Sequence, residues 1–150
     1  MDRGGPELAP LVLDASVALA WLIERPDARE AGLALALLRS LPSRTVLVPG
    51  LWHAEITNAL CVAERRGRVA PGQASTFLAK LADLPIQTDA AHGFRWQSQV
   101  RALALEHGLS AYDAAYLELA LREGARLATF DRDLARAAAA AGAGPADVRC

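Results

Sequence analysis

Three short strand-like runs punctuate this chain: Leu11-Val12-Leu13, Thr45-Val46-Leu47-Val48 and Arg126-Leu127-Ala128-Thr129. Each is too short for a helix, each is stopped by Asp14, Pro49-Gly50 or Asp131, and the stretches between them carry helical periodicity. Strands that alternate with helices must pair in parallel, and a parallel sheet needs helices over both faces. Helical composition follows Asp14 from Ala15 to Ile23. Further helices are expected over Asp27 to Ser40, about Leu51 to Arg66, Pro71 to about Asp83, about Ala90 to His107 and Ser110 to Glu123, with Gly108 between the last two. Pro85 to Thr88 offers a weak strand, Asp131 opens an Ala-rich final helix, and Asp147 to Cys150 reads as a last edge strand. The fold class expected is a three-layer α/β/α sandwich around a mostly parallel sheet. With 150 residues, 53% of them apolar, the chain supports one core. Residues 1–9 read as a tail before a single domain over residues 10–150.

Sixteen basic residues stand against seventeen acidic ones, so a nucleic-acid partner would have to be held by a local patch and not by overall charge. Lys80 is the only lysine, the remaining basic residues being arginine. Cys61 and Cys150 lie far apart with no metal-ligand spacing, which fits a reducing, cytoplasmic setting. The apolar run from Leu8 to Ile23 is broken by Pro10 and Asp14 and follows Asp2 and Glu7, unlike a signal peptide or a membrane span. No membrane association is expected.

The acids carry the functional argument. Asp14 and Asp131 follow strand-like runs, placing both carboxylates at the carboxyl edge of the sheet, where open α/β sheets bind ligands. Glu55 borders a buried helical stripe of Trp52, Ile56, Ala59, Leu60 and Ala63, and Asp113 lies on the face shared by Tyr116, Leu117 and Ala120. A carboxylate turned toward a core costs several kcal/mol unless it is paired or binds a metal. Each acid also has a plain structural reading: Asp14 and Asp131 suit helix N-caps, Ser110 with Asp113 matches a capping box, and Glu55 could be solvated. Together they are harder to assign to caps, since no Lys or Arg adjoins Asp14 or Glu55 in sequence.

The segments Leu13-Asp14-Ala-Ser16, Val48-Pro49-x-Leu51-x-x-x-Glu55-x-x-Asn58-Ala-Leu60, Leu109-Ser-Ala-Tyr-Asp113-Ala-Ala-Tyr and Leu127-Ala-Thr129-x-Asp131-x-x-Leu134 closely resemble PIN-domain ribonucleases, especially the VapC-type toxins of toxin–antitoxin pairs. The resemblance runs in order from about Leu11 to the C-terminus. It implies a sheet ordered 3-2-1-4-5 and an acidic catalytic site of Asp14, Glu55, Asp113 and Asp131. Ser16, Asn58 and Thr129 would be supporting hydrogen-bonders, and Asp133 a further acid. It also implies an RNA substrate, a cognate antitoxin covering the acidic groove, and a homodimer.

Carboxylate oxygens without His or Cys ligands suit Mg²⁺ or Mn²⁺, with Asp14, Asp113 and Asp131 as ligands, and metal-assisted hydrolysis of RNA leaving a 5′-phosphate. The rival chemistry is metal-free His acid–base catalysis through the RNA 2′-OH. His53, His92 and His107 fall outside the acidic motifs, and His53 is roughly 200° around its helix from Glu55. Two other classes stay open. One is a phosphoaspartate-type receiver or phosphatase domain, for which Lys80 is in the wrong region and Asp14-Ala15-Ser16 lacks a second Asp. The other is a catalytically silent binding module on the same fold. For RNA, Arg65, Arg66 and Arg68 form the candidate patch, with Arg25, Arg95, Arg132 and Arg136 as further candidates.

Overall fold

The computed structural model describes residues 8–145. The expected final strand over Asp147 to Cys150 and most of the expected tail lie outside the described residues. In order, the elements are β1 (Leu11–Leu13), α1 (Ala15–Leu19), α2 (Ala28–Ser40), β2 (Val46–Val48), α3 (Leu51–Arg65), α4 (Pro71–Ala82), β3 (Ile86–Thr88), α5 (Phe94–His107), α6 (Ala111–Arg122), β4 (Arg126–Ala128) and α7 (Arg132–Ala140). A single 3₁₀ turn, Leu41–Ser43, joins α2 to β2.

The four strands are parallel in the order β3-β2-β1-β4, in a three-layer α/β/α arrangement. Register is set by Leu11 against Val46 and Arg126, and by Val48 against Thr88. All three residues of β1 are fully buried, as a central parallel strand covered on both faces requires. The edge strand β3 is half to fully exposed, which explains its weak sequence signal. Successive strands step one way from β1 to β3 and the chain then returns to place β4 on the other side of β1. That reversal opens a crevice at the carboxyl ends of β1 and β4.

Two elements differ from the sequence reading. α1 ends at Leu19, short of Ile23, because the backbone tightens into three-residue turn bonds at Trp21 and Leu22. Trp21 Nε1 then donates to Ala34 O at 2.8 Å, tying this turn to α2. α5 begins at Phe94 instead of Ala90: Gly93 stands before it at φ +89°, open to glycine but strained for other residues, so residues 89–93 form a loop. Elsewhere the local rules hold. Asp27 caps α2 through Arg29 N, Pro71 occupies the first turn of α4, and Gly108 ends α5 in the left-handed region.

Candidate acidic site

β1 leads directly into Asp14, whose amide bonds Ala128 O at 2.9 Å across the crevice. Asp14 holds the N-cap position of α1, yet its carboxylate makes no cap bond. Oδ2 instead accepts from Ser16 Oγ and from Thr129 Oγ1, each at 2.7 Å. Both hydroxyls are themselves fixed, Ser16 Oγ accepting from Phe130 N and Thr129 Oγ1 from Asp131 N, each at 3.0 Å. Through these bonds Ser16 and Thr129 clamp Asp14 to the segment after β4. Asp14 is only 6% exposed, and burial pushes its carboxyl above the ordinary value, with the charge of Asp131 adding to the rise. The hydroxyl bonds from Ser16 and Thr129 oppose the rise without cancelling it.

Glu55 is half-buried on α3, beside the buried stripe of Trp52, Ile56, Leu60 and Ala63. Its Oε1 accepts from the Tyr116 hydroxyl of α6 at 2.7 Å. Burial raises the Glu55 carboxyl, and the charges of Asp14 and Asp113 raise it further. Asp113, in the first turn of α6, is half-buried and pushed up by burial, then by Asp131, Asp14 and Asp133. Only the backbone half of the expected capping box is formed, Asp113 N donating to Ser110 Oγ at 3.1 Å. Asp131 is exposed, and its Oδ1 caps α7 by accepting from Leu134 N at 2.8 Å, so the cap reading of this residue is correct as far as that oxygen goes.

Acids from the end of β1, α3, α6 and the start of α7 thus converge closely enough that their neighbours' charges help raise Asp14, Glu55 and Asp113, and none of the four forms an ion pair among the described residues. Among the described residues no three His, Cys, Asp or Glu side chains are drawn tightly enough to enclose an ion. The donor set, carboxylates with hydroxyl-fixed orientation and no His or Cys, fits a hard divalent cation.

Other candidates fall elsewhere. Asn58 is exposed and takes part in no side-chain hydrogen bond among the described residues. Asp133 is exposed and reaches Arg136 at 3.3 Å. Arg65, Arg66 and Arg68 are exposed at and beyond the far end of α3, about 15 Å of helix from Glu55. Arg25 comes close to the site instead, its guanidinium 4.8 Å from the Phe130 ring centroid and its Nε bonded to Glu30. Arg95 lines a cavity with His92, Trp96 and Arg122, and Arg132 is exposed on α7. His53 pairs with Thr88 Oγ1, His92 with Ala90 O, and His107 stands 4.0 Å from Glu106, so no histidine bonds an acid of the cluster. Lys80 lines an apolar groove with Trp21, Leu38 and Phe77, apart from all four acids. Tyr116, read from sequence only as a core-face residue, is the group that sequence reasoning missed. Its signal was a polar atom on an otherwise apolar face, one turn after Asp113.

No helix among the described residues is long and apolar enough to cross a membrane. The PIN domain family model matches residues 11–140. The chain is 32% identical over 126 residues to Ribonuclease VapC3 of Pyrobaculum aerophilum, covering 83% of this chain and 92% of that protein. Among solved structures it resembles PAE2754 from the same organism, with TM-score 0.65 and 27% identity over 89% of this chain and 87% of that one. It shares the fold of FitAcB from Neisseria gonorrhoeae, with TM-score 0.60 and 17% identity over 92% and 97% of the two chains. The family model spans most of the chain and the relative is matched over nearly its whole length, and the chain belongs to the PIN domain family.

Proposed function

We propose that this protein is a metal-dependent endoribonuclease and the toxin of a toxin–antitoxin pair. The observation that carries the reading is the meeting of four acids from separate segments at the carboxyl edge of the sheet, where burial and neighbouring acids raise Asp14, Glu55 and Asp113 and no Lys or Arg pairs with any of the four among the described residues. Kinship with a protein named a ribonuclease supports RNA as the substrate, and its VapC character supports an antitoxin partner.

Asp14, Asp113 and Asp131 would hold Mg²⁺ or Mn²⁺. When bound, the cation supplies positive charge that offsets the repulsion among the acids and polarises a phosphate. The chain's own residues do the rest. Ser16 and Thr129 keep the Asp14 carboxylate from rotating, so it presents a fixed edge to the crevice. Glu55, with its carboxyl pushed above the ordinary range, is suited to take a proton from an attacking water. Arg25, beside Phe130, is placed to meet a backbone phosphate at the rim.

The test is cleavage of RNA with Mg²⁺ or Mn²⁺, which EDTA should abolish, leaving 5′-phosphate and 3′-hydroxyl ends. Asp14→Asn and Asp113→Asn should each lower the rate by at least about 100-fold, the loss of several kcal/mol of transition-state stabilisation. Cleavage that persists in EDTA and leaves cyclic phosphates would instead establish the metal-free route.

A further inference from the structure

One buried polar group in the crevice has no part in the four-acid scheme. Tyr116 is fully buried in α6, one turn after Asp113, and its hydroxyl reaches 61 residues back in sequence to Glu55 Oε1 at 2.7 Å. A phenylalanine would fill the same volume without desolvating a hydroxyl, which is costly to bury unless it is bonded. Burial, the charge of Asp14 and the bond to Glu55 hold the phenol far above its ordinary pKa. The proton therefore stays on tyrosine, and the bond has one polarity: Tyr116 donates and the carboxylate accepts.

Glu55 needs such a bond. It is half-exposed on a helix with freely rotating side-chain bonds, and Asp14 and Asp113 both repel it. Left alone, its carboxylate would swing toward water, away from the like charges. We propose that Tyr116 is a positioning residue of the acidic site, its hydroxyl holding the Glu55 carboxylate in the crevice against the repulsion of Asp14 and Asp113 so that its charge adds to the site where Asp14, Asp113 and Asp131 would hold a cation. The inference rests on the reading of these acids as a metal site.

The experiment compares Mn²⁺ binding, by calorimetry and by the metal-induced rise in melting temperature, in the wild type, Tyr116→Phe, Glu55→Ala and the double variant. Tyr116→Phe is expected to raise the Mn²⁺ half-saturation about 10- to 100-fold, as loss of an outer hydrogen bond to a metal site does. In the Glu55→Ala background the same change should add nothing, because the hydroxyl then has no carboxylate to hold. An unchanged half-saturation in Tyr116→Phe, or an equal further loss in the double variant, overturns the assignment while leaving the metal site in place. A wild type that binds no Mn²⁺ removes the metal reading itself and the inference with it. Should Tyr116→Phe fold poorly, the wild type carries the test: with ¹³C-labelled tyrosine, the Tyr116 Cζ resonance should move with Mg²⁺ at the half-saturation of the melting shift, while that of exposed Tyr112 stays still. A Tyr116 resonance indifferent to Mg²⁺ counts against it.

Discussion

Asp14 is the residue at which local and tertiary forces meet. Its place after an apolar run suits a helix cap, but the side chain is taken instead by Ser16 and by Thr129, 115 positions away. The pH dependence follows from the direction of the shifts. Asp14, Glu55 and Asp113 bind their protons more tightly in the folded chain than in the unfolded one, where the values are 3.8 for Asp and 4.5 for Glu. Groups shifted this way weaken the fold at neutral pH, and the penalty is relieved as pH falls through the raised folded values. Asp89 acts in the opposite sense: Arg122, bonded to it at 2.7 Å, holds its carboxyl below 3.8. Its stabilising share is present above 3.8 and is lost only as pH drops through that lowered value. In EDTA the melting temperature is therefore expected to rise as pH is lowered from neutral toward about 5, and saturating Mg²⁺ should flatten or reverse the trend. Asp113→Asn should be at least as stable as the wild type without metal and show a gentler slope. A melting temperature in EDTA that falls steadily across that range would contradict the assignment.

At the scale of elements, the helices with strong caps were legible from sequence and the connections were not. Asp27, Pro71, Ser110 and Asp131 mark the starts of α2, α4, α6 and α7 because capping is local chemistry. The start of α5 was misplaced because Ala90-Ala91 has helical composition, whereas Gly93 adopts a φ of +89° that ends any helix passing through it. Gly93→Ala is expected to cost about 1 to 3 kcal/mol from backbone strain, since open space surrounds the position and no clash would contribute. It should leave the Mg²⁺ response intact, as the loop carries none of the acids. Chemical denaturation with and without Mg²⁺ checks both halves, and a stability equal to wild type would show that the loop relaxes freely. β3 was faint for a related reason: an exposed edge strand does not need an unbroken apolar run.

At the scale of the whole molecule, the sheet order brings together acids that lie nearly the full chain apart, and the fold carries their repulsion. Mg²⁺ at about one hundred times its dissociation constant should add roughly 2.7 kcal/mol, a melting shift of about 5 to 11 °C for a domain of this size. Calorimetry in EDTA and in Mg²⁺ measures it, and no shift at any concentration would mean that the folded state has no preferred cation site. By itself, the sequence determined the α/β alternation, the parallel sheet and the helix caps, because periodicity, capping and strand termination act over a few residues, and it singled out four acids as candidates. Only the tertiary structure decided which of those acids are caps and which are strained members of a cluster. It placed Asn58 in solvent, set Arg25 beside the site with Arg65, Arg66 and Arg68 remote from it, and turned the Tyr116 hydroxyl onto Glu55. Those outcomes depend on burial and on the distances between distant segments, quantities that exist only once β1 lies between β2 and β4 and α6 has closed over the strands.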